Sequence, residues 1–428
     1  MQEKILEIMN TVLENRTKEK LTSITPEMHL RNDIGFDSLD LAELTVRIEA
    51  EYDIDIFEDG IVNTVGEIVK KLENGENLPM KDVMNTFESY RSKDPIIYNI
   101  ETTNACNMRC KMCPRTSRMT RDITFLEEDF YEDIVTQIKP HSKELWSKWE
   151  KFVTKTYGIR PDDAASENHF FLYVIPKVIQ LHGYGDPLLD KNIGKVVKVL
   201  SENDFESYFS CTPANINVER TEEMMGYGLN YLKYSFESTD DVKFKEVRGA
   251  AANFTEAYKK TLEVLSIKEE RGFDTTIIIT MIDIGHDDTQ LEEFEKLKEV
   301  FKDHDVYIYL KSEDQQWYRK DVTLKDYLEQ RNRMLPDQRE NFYGTESVHW
   351  SEFCKHPWMS MSVKSDGEVH MCMEDYNNEI FLGDSYKKSL YDIWNGDLYD
   401  KFRKDHFELN PCIKCNSECD MPKIGNYY

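Results

Sequence analysis

The sequence predicts a multidomain chain: a small all-α unit, then an α/β domain on a parallel sheet, then a short cysteine-bearing end. Three observations carry this. Residues 1–76 place apolar side chains at helical spacing and hold 18 acidic and 8 basic residues, a net of −10. After Pro95, six β-like runs alternate with helical patterns. Eight of the nine cysteines fall in two groups, three within residues 106–113 and five from residue 354 onward.

Composition excludes several classes. A hydrophobic fraction of 40%, with 21 Phe and 23 Tyr, is ample for real cores. No uninterrupted apolar run approaches the roughly 18 residues of a membrane-spanning helix. The start, MQEKILEIMNTVLENR, is amphipathic and lacks the apolar stretch of a secretory signal. A soluble cytoplasmic protein with reduced cysteines and no membrane partner is expected. An odd, clustered cysteine set in such a chain points to metal ligation or catalysis rather than disulfides. The net charge of −27 argues against a nucleic-acid partner, whose footprint would be basic, and favours solubility and basic partners.

Within residues 1–76, Ile5, Ile8, Met9, Val12 and Leu13 form one stripe. A second stripe is expected from Leu39, Leu41, Leu44 and Ile48, with Asp37 or Ser38 as N-cap after a glycine turn. NTVGEIVKKLEN closes the unit with a short helix. The run DIGFDSLDLAEL resembles an acyl carrier protein, and EYDIDIFEDG and NTVGEIVKKL match later carrier segments. The resemblance covers the whole unit. It implies a four-helix carrier bundle in which Ser38 takes a 4′-phosphopantetheine arm, and a phosphopantetheinyl transferase as partner. The bland reading of Ser38 is an N-cap on an ordinary bundle. Residues 77–94 read as a linker with room for one helical stretch. Its 18 residues would extend to about 60 Å at most, enough to present the carrier to the rest of the chain at an effective concentration of order millimolar.

The six β-like runs are 96–103, 178–185, 207–212, 229–237, 275–282 and 306–312. Alternation with helices implies a parallel sheet with its chemistry at the C-terminal ends of the strands. Periodicity alone leaves an incomplete barrel and an open sheet as alternatives. Cys106, Cys110 and Cys113 follow the first run with the spacing C-x3-C-x2-C. Three thiolates on so tight a loop suit three corners of an iron–sulfur cluster. A zinc site completed from afar is the competing reading.

This loop after a first strand resembles the radical SAM superfamily. The resemblance implies a partial (β/α)6 barrel, and a 4Fe–4S cluster on Cys106, Cys110 and Cys113 whose open iron is chelated by S-adenosylmethionine. One electron then cleaves the sulfonium, and the 5′-deoxyadenosyl radical takes a hydrogen atom from substrate. Gly183, Tyr184, Gly185 and Asp186 occupy the place of the family's Gly-Gly-Glu-Pro segment, with Tyr184 and Asp186 departing from it. Ser235 and Glu237 end the fourth run, where the family places ribose and methionyl contacts. Arg248 matches the arginine of a Y-x-x-I-R-G segment, and Met112 stands where an aromatic residue flanks the adenine. Without the resemblance, Ser235, Glu237 and Arg248 read as a polar cluster at strand ends, and Gly183 and Gly185 as a tight turn. Arg109, Lys111, Arg115, Arg118 and Arg121 make this loop basic. Offsetting the cluster's negative charge is the plain reading for Arg109 and Lys111.

Cys354, Gly367 and Cys372 are spaced C-x12-G-x4-C around a hairpin turn, and Cys412, Cys415 and Cys419 follow. By chemistry alone, zinc and iron–sulfur compete here. The arrangement, with SLYDIW between, resembles the SPASM/twitch extension, a small α+β iron–sulfur domain. It implies an auxiliary 4Fe–4S cluster on four of these five cysteines, by preference Cys354, Cys372, Cys412 and Cys415. Cys211 stands apart. It reads as a small buried residue, or as a hydrogen-atom donor to a substrate radical. The stretch from Cys113 to Gly183 is longer than one helix and strand need, so residues 141–177 are an insertion. Its Lys148, Lys151 and Lys155 form either a solvated face or a dock for the carrier.

The expected boundaries are a carrier at 1–76, a linker at 77–94, a radical SAM barrel at 95–345 and the auxiliary domain at 346–428. The expected function is that of a radical SAM oxidoreductase. It abstracts hydrogen from an acyl or aminoacyl group tethered to its own carrier, with an electron donor such as flavodoxin or ferredoxin and a loading enzyme as partners. Two alternatives stand beside it. In one, the barrel acts on a free peptide or sugar while the carrier serves other enzymes. In the other, the chain is a non-catalytic scaffold with structural zinc.

Overall fold

The computed structural model describes residues 2–52, 56, 62–75, 88, 91–283, 288–312, 356–373 and 375–407. The chain divides into two compact units, Met1–Ser89 and Tyr90–Tyr428.

Among its described residues the first unit holds three helices: α1 (Gln2–Asn15), α2 (Ser38–Tyr52) and α3 (Val65–Gly75). Ile5, Met9 and Val12 of α1 pack with Leu41, Leu44 and Ile48 of α2 and with Ile68 and Leu72 of α3. Each such buried side chain contributes about 1.5–3 kcal/mol. A fourth helix would fall mostly outside the described residues. One expected core position differs: Leu39 is exposed. At 100° per residue it lies well off the Leu41–Leu44–Ile48 stripe.

In the second unit, six parallel strands run in sequence order as a partial (β/α)6 barrel: β1 (Ile97–Ile100), β2 (Val178–Gln180), β3 (Glu206–Cys211), β4 (Tyr231–Ser235), β5 (Thr276–Asp283) and β6 (Tyr307–Ser312). All six β-like runs carry a strand. Most of the strands are shorter than their runs, because the residues beyond the ladder become the loops that build the site. β7 (Met361–Val363) pairs parallel with β1, and β8 (Glu368–His370) and β9 (Phe381–Asp384) follow antiparallel. The small C-terminal unit therefore extends the barrel sheet from its β1 edge.

The helices cover one face of this sheet. In Ile193–Glu202, the residues Ile193, Val196, Val197 and Leu200 recur at i, i+3, i+4 and i+7, and all four are buried. Phe254–Arg271 starts where the Asn253 side chain accepts from the Glu256 amide and stops at Gly272, whose φ of +68° is left-handed. The other face forms the lumen. Its lower end is filled by Phe170 and Val174, which pack on Val178, Tyr208, Ile278 and Tyr309. Both belong to the insertion, whose Phe170–Val174 segment is a π-helix just before β2. The insertion also carries helix Lys143–Tyr157, where Val153 and Trp149 pack on Leu172 and Tyr173. Lys148 is paired with Glu144 at 2.9 Å. The Lys155 side chain lies outside the described residues. No helix among the described residues is long and apolar enough to cross a membrane.

Candidate functional site

The cysteine loop leaves β1 and is pinned on three sides. The Arg109 and Lys111 amides donate to the carbonyls of Arg248 and Val247, both at 2.9 Å. Asn107 and Asn215 exchange side-chain hydrogen bonds at 2.8 Å. Arg115 Nε donates to the Asn104 carbonyl at 2.7 Å. Gly249 makes the first strap feasible. Its φ is +98°, and a Cβ there would press on Arg109.

Cys106, Cys110 and Cys113 all lie on this loop, Cys110 buried and the other two half-buried; among the described residues no three such side chains are grouped closely enough to hold a metal ion. Burial raises the Cys106 and Cys113 thiols, the latter to about 11, and the neighbouring sulfurs add to both shifts. The three sulfurs therefore lie within each other's electrostatic reach. Without a cation they would resist ionising, so a metal that displaces their protons relieves the mutual cost. One compensating cation is already present. Arg248 Nη1 donates to Cys110 Sγ at 3.6 Å, its Nη2 bonds Glu237, and its buried Nε has no protein partner. Burial opposes that charge, but Glu237 and Cys110 outweigh it and raise the guanidinium's pKa. Glu237 is fixed in turn by the Ile282 amide at 2.9 Å. This donor set fits an iron–sulfur cluster with an anionic ligand beside it.

The glycine segment after β2 closes against the loop. A Cβ on Gly185 would overlap the Thr103 carbonyl oxygen, and one on Gly183 would overlap the Glu101 carboxylate. The Asp186 amide donates to the Ala105 carbonyl at 2.7 Å. Its side chain accepts from the amides of Leu188 (3.0 Å) and Thr212 (3.1 Å) and from Asn215 Nδ2 (2.9 Å). Asp186 Oδ2 thus ties the segment after β2 to the end of β3 while Oδ1 caps its own turn, and burial raises this carboxyl's pKa. Ser235 lies on the lumen face within 3.5 Å of Thr280 Oγ1, while Met112 and Tyr184 are half-buried. Cys211 is buried beside Phe209 on the helix-facing side, its thiol donating to the Lys233 carbonyl at 3.7 Å. Burial drives its pKa well up.

One functional neighbour escaped the sequence reading. Glu101, fully buried, accepts from Arg121 Nη2 at 2.8 and 2.9 Å and from Ser365 Oγ at 2.9 Å. Burial would raise its pKa, but Arg121 and Lys364 overcome that and hold it at about 2. Arg121 also donates to the Tyr376 carbonyl at 2.9 Å, and the Thr120 amide to Asn377 Oδ1 at 2.8 Å. The loop after the three cysteines is thereby locked to the segment after Cys372. A carboxylate directly after the strand that leads into the cysteine loop was the available signal. Cys372 is half-buried, and Tyr376 packs edge-on against Tyr184, with centroids 5.8 Å apart. Cys354, Cys412, Cys415 and Cys419 lie outside the described residues. The hairpin glycine Gly367 has φ +80°, and Ser389 caps Leu390–Trp394, where SLYDIW placed a helix.

In the first unit, Ser38 opens α2 three residues after Gly35, whose φ is +80°. Asp37 accepts from the amides of Leu39 (2.8 Å) and Asp40 (2.9 Å), and those bonds lower its pKa. Asp40 does not face outward with the other acids. It is fully buried and paired with Lys18 and Arg16. The Ser38 side chain is outside the described residues.

A parallel partial barrel whose first strand opens into a three-thiol loop, one thiol bonded to a buried arginine, has the donor set for an iron–sulfur cluster. Family comparison places the chain more closely. Residues 100–299 match the Radical SAM superfamily, residues 354–416 the SPASM iron–sulfur cluster-binding domain, and residues 3–72 the phosphopantetheine attachment site. The chain thus carries a Radical SAM domain joined to a phosphopantetheine attachment domain before it and a SPASM iron–sulfur domain after it. The cofactors of these domains are S-adenosylmethionine, two iron–sulfur clusters and phosphopantetheine. Among solved structures, Streptococcus suis SuiB bound to S-adenosylmethionine shares the fold, with TM-score 0.50 and 15% identity over 83% of this chain and 76% of that one. BtrN in complex with AdoMet and 2-DOIA matches with TM-score 0.37 and 16% identity over 78% of this chain and 95% of that one.

Proposed function

We propose that this chain is a radical SAM oxidoreductase acting on an acyl or aminoacyl group carried as a thioester on phosphopantetheine at Ser38. The observation that carries the reading is the meeting, above one lumen, of the three-thiol loop, the glycine segment Gly183–Gly185 and the Glu237–Arg248 pair. When bound, the cluster and S-adenosylmethionine supply reductive cleavage and hydrogen-atom abstraction. The protein's residues do the rest. Cys106, Cys110 and Cys113 hold the first cluster. Arg248 offsets charge at Cys110 and offers its free Nε to the methionyl carboxylate. Backbone groups of Gly183, Tyr184 and Gly185 approach the methionyl end, with Asp186 shaping that turn. Ser235 and Glu237 face the ribose side, and Met112 the adenine. Phe170 and Val174 close the lumen against water from below. Four of Cys354, Cys372, Cys412, Cys415 and Cys419, by preference the first four, would hold the auxiliary cluster, which when bound would supply an acceptor for the second electron of a net dehydrogenation. The carrier is loaded after a phosphopantetheinyl transferase modifies Ser38, and a flavodoxin or ferredoxin supplies the first electron.

The test is anaerobic reconstitution of the full chain. S-adenosylmethionine binding by equilibrium dialysis and 5′-deoxyadenosine release under dithionite are expected. Loaded carrier should change mass at the Ser38 peptide, and Ser38→Ala should abolish substrate turnover while leaving S-adenosylmethionine binding intact. Wild-type protein that binds no S-adenosylmethionine would end the proposal.

A further inference from the structure

The loop that carries Cys106, Cys110 and Cys113 has a charge unlike the rest of the chain. Residues 102–121 hold five basic side chains and no acid, in a protein of net charge −27. Folding sorts the five. Arg121 is buried against Glu101. Arg115 is half-buried and turns in to the Asn104 carbonyl. Arg118 is exposed and engaged within the chain. Arg109 and Lys111 are exposed, and among the described residues neither side chain has a hydrogen-bond or ion-pair partner.

The local backbone fixes this outward pair. The Arg109 and Lys111 amides are spent on the carbonyls of Arg248 and Val247, at the end of helix Asp241–Arg248. Cys110 between them is buried, and its sulfur accepts from Arg248 Nη1 at 3.6 Å. Exposure therefore alternates out, in, out across residues 109–111. The cations that most lower the Cys106 and Cys113 thiols are Arg115 and Arg248. The charges of Arg109 and Lys111 face solvent instead of lying against the sulfurs. The helix end beside them shows Lys245 and Glu246, both exposed, which together add no net charge.

We infer that Arg109 and Lys111 form the docking face for the protein that delivers the first electron, and that this partner is an acidic one-electron carrier of flavodoxin or ferredoxin type. Charge and distance both favour this place. A strongly acidic chain repels an acidic partner over most of its surface, and salt confines that field to a Debye length of about 8 Å. A local basic pair then decides where the partner lands, acting on encounter rate and orientation more than on affinity. Electron-transfer encounters bury less than about 1,200 Å², so a few side chains suffice. Arg109 and Lys111 are also the chain neighbours of Cys110, their Cα atoms about 3.8 Å from its own. Cys106 and Cys113 on the same loop are half-buried, not sealed off. In the step itself one electron leaves the reduced partner and enters the first cluster; no bond or proton moves. This rests on the proposed function in taking Cys106, Cys110 and Cys113 as the ligands of that cluster.

The experiment uses the full-length chain, reconstituted anaerobically. Binding of two labelled probes, an acidic flavodoxin and an acidic ferredoxin, is read by fluorescence anisotropy at about 50 and 300 mM NaCl. At least one should bind, about tenfold or more weaker at the higher salt. Arg109→Glu/Lys111→Glu keeps the backbone amides that strap the loop. It should weaken binding at low salt by about tenfold or more and flatten the salt dependence. Lys143→Glu/Lys151→Glu makes the same charge change on helix Lys143–Tyr157, whose Trp146 lines a hollow with Ile97 and Glu206 where β1 and β3 begin. It should bind as wild type. Cleavage of S-adenosylmethionine driven by dithionite, which needs no docking face, should stay within about twofold in both variants. Cleavage driven by the reduced probe should fall in the first variant alone. Binding of neither probe by wild type, wild-type binding by the Arg109/Lys111 variant, or an equal loss in the control overturns the inference. So does intact probe binding with loss of dithionite-driven turnover of the loaded carrier, which assigns the pair to the carrier instead. Wild type that cleaves nothing under dithionite sinks the proposed function, a failure read separately from probe binding.

Discussion

Arg248 reaches Cys110: its Nη1 donates to the sulfur at 3.6 Å while its Nη2 grips Glu237. One buried cation thus serves a cysteine sulfur and a carboxylate together. Arg248→Gln should weaken S-adenosylmethionine binding at least tenfold, or about 1.4 kcal/mol, measured by equilibrium dialysis. It should also lower the unfolding free energy by about 3–5 kcal/mol, because Glu237 is left as an uncompensated buried charge. A variant with wild-type affinity and stability would show that the pair serves neither purpose.

Gly185 faces the Thr103 carbonyl with no room for a side chain. Gly185→Ala must push the β2 loop away from the cysteine loop, since the obstacle is backbone. Loss of S-adenosylmethionine binding by a factor of ten or more is expected. Gly272→Ala meets open space at a left-handed cap and serves as the control. It should cost stability through strain and leave cofactor affinity unchanged.

His182 titrates far below an ordinary histidine, at about 3, because burial and then Lys233 disfavour its charged form, with Glu101 opposing only in part. Unfolded, the ring titrates near 6.5. Between these values the unfolded chain binds one more proton, so stability falls as pH drops below about 6.5. The slope from this group reaches about 1.4 kcal/mol per pH unit. Urea unfolding at pH 7, 6 and 5 should show that slope in wild type and a flatter one in His182→Gln. Parallel profiles would refute a neutral, buried His182.

Cys372 and Cys106 belong to different clusters in the proposed function. Reconstituted wild type should hold about eight irons per chain. Cys106→Ala and Cys372→Ala should each lower this to about four, and only Cys106→Ala should abolish S-adenosylmethionine cleavage. Iron content unchanged in either variant would reassign that cysteine.

Local chemistry was legible wherever function and backbone lie close together in the chain. The C-x3-C-x2-C loop, the glycines at 183 and 185, the cap near Ser38 and the Ser389-capped helix all depend on residues a few positions apart. Such short-range geometry leaves a mark in one sequence window. The stripe on α1 was equally clear, because five apolar residues at helical spacing have one way to face a core. Leu39 was misplaced because apolar character was counted without its angle around the helix.

The order of elements, the six alternating strands and the residue types able to bind clusters and carry a prosthetic arm were written in the linear chain. They follow from periodicity and ligand spacing, which are local. The grip of Arg121 on Glu101 and of Arg248 on Cys110, the plugging of the lumen by Phe170, the inward turn of Asp40 and the nearness of His182 to Lys233 were decided only by folding. Each joins side chains distant in sequence or turned by helix angle and strand register. Whether a buried charge is tolerated depends on the partner that packing brings to it.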